Sequence, residues 1–411
     1  MSRVLFTIAF AMAVLVSYSL HEAGHMLSAK RFGMRVKRFF VGYGPTVFSW
    51  RRGGTEYGVK ALPVGGFCKI AGMVPDDPVE PADRHLAMWR FPLWKRTVVM
   101  ASGAMTQFLL AIVALWFAAA FVGVPNLAYP QTPAQFNAQP AAIVVGQCVT
   151  PEAARACAAG DPVSPARKAG LRDGDVLTSV NGVAIGSYGE MVRVVRQSLP
   201  GPAKIAFTRD GRPGTVVADL SAVQRAPLDD PAGAAGTVAA LGVDLQVSAP
   251  REVTYGPVAA FGATVTYSGW LAGQTVEAAK RIPAKVPALW RSITGDERDP
   301  ETPISVVGAS LIGGEAASLG LWSTVLMIFI GLNVFMGFFN LLPLLPLDGG
   351  HIAIWWFERA RSWLAARRGR PDPGRVDYYK LMPVTYAAII IGAVFTLLTV
   401  TADVVNPITI Q

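Results

Sequence analysis

His21-Glu22-Ala23-Gly24-His25 sets two imidazoles four residues apart, with a carboxylate beside the first. On a helix, positions i and i+4 share a face, so His21 and His25 can hold one Zn²⁺ while Glu22 takes the proton of an attacking water as general base. The chemistry suggested is hydrolysis. The chain has only four histidines in 411 residues, which makes a chance match rare, and an ordinary structural histidine pair would have no need of the glutamate. The motif ends an apolar run from Val4 to Leu20, so a metal-binding pattern lies inside a membrane span.

Two histidines and a water leave a zinc site one protein ligand short. Asp348 fits. It lies in Asn340-Leu341-Leu342-Pro343-Leu344-Leu345-Pro346-Leu347-Asp348-Gly349-Gly350-His351, where two prolines break a helix and expose backbone within a hydrophobic stretch. An intramembrane carboxylate is costly unless paired or metal-bound, which makes it functional by default. His351, three residues on, is the competing third ligand, whereas His85, beside Arg84 in a polar loop, reads as a surface residue. Asn340 offers an acceptor and two donors; it could orient substrate backbone or stabilise an oxyanion, or serve only as a helix-packing amide.

The elements that must position these groups are membrane helices. The chain is 52% hydrophobic and 16% charged, with its apolar residues gathered in long runs. Four of these runs, Val4 to Leu20 extended by the motif helix to about 27, Val98 to Val124, Leu319 to about Leu342, and Met382 to Val400, can cross about 30 Å of hydrocarbon at about 1.5 Å per residue. Arg3 before the first run invites a signal-peptide reading. No small-residue cleavage site follows, and cleavage would remove the ligands, so this run reads as a retained anchor. The net charge of +9 is explained by topology and not by nucleic acid. Lys30, Arg31, Arg35, Lys37, Arg38, Arg51, Arg52 and Lys60 follow the first span, and Arg359, Arg361, Arg367, Arg368, Arg370, Arg375 and Lys380 follow the third. The positive-inside rule puts both segments in the cytoplasm, and both termini with the 125–318 region outside the plasma membrane.

Between the first two spans, the 40–72 region reads as a β-hairpin that turns at Arg51 to Gly54, its second arm interrupted by Pro63, Gly65 and Gly66. Residues 125–142 read as an extracytoplasmic linker. The 143–223 segment reads as a compact α/β domain with an Asn181-Gly182 hairpin turn, a helix from Glu190 to Gln197, and strands joined at Asp210-Gly211. Its Ala169-Gly170-Leu171-Arg172-Asp173-Gly174-Asp175 and Val180-Asn181-Gly182 elements resemble a bacterial protease PDZ domain, which can capture a peptide by strand addition or stand as a steric filter. Residues 224–318 read as linker and amphipathic helices at the outer membrane surface, and 319–411 as the second half of the membrane core. Cys148 and Cys157 both fall in the region assigned to the oxidising exterior, so a disulfide between them is expected, with two free thiols as the alternative; Cys68 falls on the cytoplasmic side.

Taken together, the membrane-embedded His-Glu-x-x-His, the Asn340 to Asp348-Gly349 segment and the PDZ-like insertion between them resemble the site-2 protease family over nearly the whole chain. The likeness is closest to bacterial members with four spans and one PDZ domain, of the actinobacterial type. The resemblance implies a polytopic α-helical zinc metalloprotease in which His21, His25 and Asp348 hold Zn²⁺, Glu22 is the general base and Asn340 positions substrate. It implies single-pass transmembrane substrates within the lipid bilayer, typically anti-sigma factors already cut once, and a β-hairpin that holds the unwound substrate as an added strand. One departure is visible: the family's Gly-x-x-x-Asn motif in the second span is here Gly103-Ala104-Met105-Thr106-Gln107. A membrane zinc transporter would need a longer polar path and has no use for a PDZ-like domain, and a catalytically silent adaptor would not need Glu22.

Overall fold

Among the described residues four helices are long and apolar enough to cross a membrane: Ser2–Arg31 (α1), Leu93–Val122, Trp322–Asn340 and Tyr378–Val405. The second is α-helical over Leu93–Phe117 (α2) and closes with a π turn, Ala118–Val122. The computed structural model describes residues 2–73, 77–150, 157–158, 160–230 and 233–410. The chain forms two compact units, Met1–Val124 with Thr254–Gln411, and Pro125–Val253.

In the first unit α1 is the central element, packed against α2 and against the short helix Val306–Ser318. That short helix fell within the stretch read as linker and surface helices. It is an internal packing element instead, because its small residues let it come close: a side chain at Gly313 would meet the Phe10 ring at 2.6 Å. Phe10, Val14 and Ala309 form the resulting apolar cluster with Val325 and Phe329 around it. Ala259–Thr294 is one helix, with Pro283 and Pro287 inside it, and packs against α2, Trp322–Asn340 and the C-terminal helix.

Two strands, Val36–Arg52 (β1) and Thr55–Ile70 (β2), follow α1 and pair antiparallel. They make more than a simple hairpin. Thr46–Arg52 pairs with Thr55–Lys60 around the turn, while Val36–Val41 meets Gly66–Ile70 on one side and Glu56–Val59 on the other. Both strands must therefore bend, which is what the glycines and prolines of 42–45 and 63–66 allow. Val36 and Ile70 close the base of the sheet against Ala29, Val99 and Trp355.

The second unit holds a five-stranded sheet in the order Val183–Ala184, Val176–Val180, Gly201–Arg209, Arg212–Arg225, Gly236–Ala240. A separate pair, Ile143–Val145 with Val243–Leu245, completes the unit. It extends past the boundary at 223, since Ser221–Arg225 pairs with Gly236–Ala240 and both Ala239 and Leu241 are in the core with Leu177, Ile205 and Met191. The turn-rich 224–235 stretch hid that last strand. Both hairpin turns lie where the sequence puts them: Asn181 (φ 50°) and Asp210 (φ 50°) adopt the left-handed conformation that precedes each turn glycine. The helix Tyr188–Gln197 is capped by the Ser187 hydroxyl, which accepts from the Glu190 N–H. Cys148 and Cys157 are joined as a disulfide; residues 151–156, inside that loop, lie outside those described.

Asp175 is fully buried in this unit and receives two hydrogen bonds from Arg209, each 2.7 Å, and one from the Arg172 N–H at 2.8 Å. Burial alone would raise its carboxyl, but the hydrogen bonds and charge of Arg209 outweigh it and hold the group below the usual carboxylate range. The unfolded chain therefore takes up this proton first as pH falls. The pair's contribution is complete above the ordinary carboxylate value of about 4 and is lost as pH drops through the lower folded value. Protection of the strands Val176–Val180 and Gly201–Arg209 against hydrogen exchange, taken relative to the intrinsic amide rate at each pH, should fall from about pH 6 to about pH 3 in the wild type. In Arg209→Gln it should already be low at the upper end; equal protection in the two proteins would contradict this assignment.

Candidate active site

The candidate metal-ligating atoms converge from two helices of the first unit. His21 and His25 are buried on one face of α1, and Asp348 opens the helix Asp348–Arg367. His21 Nε2 and His25 Nε2 stand 3.2 Å apart, and Asp348 Oδ2 is 3.3 Å from the first and 3.2 Å from the second. Among the described residues these three are the group of histidines, cysteines and carboxylates whose atoms could share a metal ion, all within 4.8 Å of one another.

Their surroundings fit a cation. His25 Nδ1 lies 2.8 Å from the Val99 carbonyl, which can only accept, so Nδ1 carries the proton and Nε2 offers its lone pair inward. Asp348 Oδ2 is buried without a hydrogen-bond partner. His25 Nε2 and Asp348 Oδ2 are thus two acceptors facing one another in a buried place, an arrangement that repels unless a positive charge sits beside them. Gly103 of α2 borders the same space: a methyl group there would fall 2.4 Å from His25 Nε2 and 2.7 Å from His21 Nε2. Gly349 does the same for the carboxylate arm, since a side chain at that position would meet the Leu341 carbonyl oxygen at 2.2 Å.

Glu22 is half-buried on α1, next in sequence to His21, with its carboxylate near the Cys68 backbone toward the end of β2. That proximity sets the sheet beside the candidate base. Gly66–Ile70 is an outer strand, paired with β1 on one side and with no strand on the other among the described residues.

The remaining sequence candidates are apart from this cluster. His351 is buried, but its ring stands against Trp355 and Tyr378, at 6.1 and 6.3 Å between centroids. His85 is exposed in the short helix Pro81–Leu86. Asn340 ends the helix Trp322–Asn340, half-buried and outside the ligand group. Gln107, at the family's asparagine position, is fully buried; its Oε1 is 3.5 Å from Ser17 Oγ, which also hydrogen-bonds Asn333, and its Nε2 has no partner. The sequence reading missed the Val99 carbonyl and the Cys68 backbone contact, since a main-chain group leaves no mark in residue type. Gly103 had a signal, in the small-residue run Ala101-Ser102-Gly103-Ala104.

The profile of Peptidase family M50 matches residues 9–372. Zinc metalloprotease Rip1 of Mycolicibacterium smegmatis is 43% identical over 412 residues, which cover 98% of this chain and 97% of that one. Zinc metalloprotease Rip1 of Mycobacterium tuberculosis is 42% identical over 407 residues, 97% of each chain. The chain belongs to peptidase family M50, the site-2 proteases, and is a metalloprotease.

Proposed function

We propose that this protein hydrolyses peptide bonds within the membrane-spanning segments of single-pass membrane proteins, with His21, His25 and Asp348 as metal ligands and Glu22 as general base. The observation that carries this reading is the meeting of the three ligand atoms within 4.8 Å on helices of an apolar, membrane-type unit. The cofactor is Zn²⁺, as the names of the relatives have it. When bound, it polarises the scissile carbonyl and acidifies the attacking water.

The protein's own groups do the rest. A transmembrane helix hides its amides in internal hydrogen bonds, so it must unwind before a carbonyl can be attacked. The open edge of Gly66–Ile70 can take the unwound segment as an added strand, next to Glu22. Water adds to the carbonyl carbon, Glu22 takes its proton, and the carbonyl oxygen becomes an oxyanion. When the C–N bond breaks, Glu22 returns that proton to the departing nitrogen. Asn340 is assigned a substrate-positioning role on the strength of the family pattern.

Anti-sigma factors shortened by an earlier cut are the proposed substrates, supported by the resemblance to actinobacterial members. The clustered basic residues after the first and third spans support a cytoplasm-facing active site, with the termini and the Pro125–Val253 unit outside the plasma membrane. A PDZ-type role for that unit is supported by a cavity of about 630 Å³ beside Tyr188, Met191, Val195 and Arg196 of its helix and Leu241 to Asp244.

Two experiments test this. A Glu22→Gln protein, purified in detergent from its own cells, should carry an uncleaved single-pass membrane protein that the wild type lacks; enrichment of soluble proteins alone would contradict the substrate class. Excision of the Pro125–Val253 unit should leave cleavage of short substrates intact and admit substrates with bulky outer domains, because the unit supplies none of the proposed ligands. Loss of all cleavage in a folded, zinc-loaded deletion protein would reject that gating role.

A further inference from the structure

Tyr18 stands three residues before His21, on the same face of α1 one turn earlier. Its ring stacks on the His21 imidazole, with centroids 5.8 Å apart and planes at 29°. The strand backbone passes close by: a side chain at Gly65 would come within 3.2 Å of the Tyr18 ring and 3.3 Å of the Tyr43 ring. The two tyrosines end differently. The Tyr43 hydroxyl donates to the Gly66 carbonyl at 2.9 Å, whereas that of Tyr18 has no hydrogen-bond partner among the described residues and is not one of the sealed, unsatisfied polar atoms. It lies within electrostatic reach of both Glu22 and Asp348.

A phenol in this setting is a neutral donor on a stiff ring, close to a candidate metal ligand, the candidate base and the strand edge. Packing alone would be served as well by phenylalanine. We propose that Tyr18 is a further catalytic residue of this centre, its O–H donating to the carbonyl oxygen of the scissile bond. Resting on the proteolytic reading above, the assignment gives this hydrogen bond its greatest strength when that oxygen carries negative charge. As water adds, the carbonyl π pair moves onto oxygen and the water proton goes to Glu22; Tyr18 keeps its own proton throughout. Collapse restores the C=O bond and expels the nitrogen, which receives the proton from Glu22.

Tyr18→Phe keeps the ring on His21 and removes only the donor. Its kcat for a single-pass test substrate should fall on the order of 10²-fold, the usual effect of losing one oxyanion donor. KM and bound zinc should be unchanged. Affinity for a phosphinate peptide, a tetrahedral anion in place of the attacked carbonyl, should fall by a similar factor. Unchanged kcat and phosphinate affinity would overturn the proposal. So would a loss that shows up in KM or in zinc content, since either marks a structural role. Absence of turnover by zinc-loaded wild type in the same assay would instead sink the proteolytic reading, and this assignment with it.

Discussion

Glu22→Gln should retain zinc and lose cleavage, by about 10²- to 10⁴-fold, the range for removal of a positioned general base. Glutamine keeps the shape of the side chain and can no longer accept the proton. Asp348→Ala should behave differently. It removes one of three proposed ligand atoms that lie 3.2 to 3.3 Å apart, so zinc should be lost along with activity. Metal content by elemental analysis and cleavage of a single-pass substrate, both on folded protein in detergent, separate the two outcomes. Wild-type turnover by the Glu22→Gln protein would remove the base from the mechanism, and full zinc occupancy in Asp348→Ala would remove the third ligand.

Gly103→Ala should be the most damaging single methyl group in α2. Its Cβ would fall 2.4 Å from His25 Nε2, closer than any carbon and nitrogen can approach without displacement. The histidine cannot retreat freely, because its Nδ1 is held by the Val99 carbonyl at 2.8 Å. Overpacking of this kind costs about 1–3 kcal/mol. Taken out on the ligand geometry, that is roughly a 5- to 150-fold loss of zinc affinity. Met105→Ala, on the same helix and 50% exposed, should leave zinc affinity unchanged. Zinc titration against a competing chelator measures both, and wild-type affinity in Gly103→Ala would mean that the histidines hold the metal in some other arrangement.

Much of the candidate site was legible because it depends on local spacing. His21 and His25 share a helix face by periodicity alone; the expense of a carboxylate in an apolar stretch marks Asp348, and the family resemblance chooses it over His351. What could not be read is what arises between distant segments. The double pairing of Val36–Val41 is set by bends at 42–45 and 63–66, which alternation of residue types does not encode. The Gly236–Ala240 strand belongs to a sheet whose other members lie before 226, across a stretch that reads as linker. Val306–Ser318 is too short for a span and too apolar for the surface, and its small residues make sense only against Phe10. Tyr18 reads as one more residue of an apolar run until its ring is seen on His21.

Metal-dependent hydrolysis within a membrane segment can be read from the products when the purified wild-type protein is reconstituted with a single-pass substrate and the fragments are weighed. The expected result is a cut inside the substrate's apolar segment, lost on chelation and regained when Zn²⁺ is returned. A cut confined to the flanking polar sequence, or cleavage indifferent to the chelator, would contradict it.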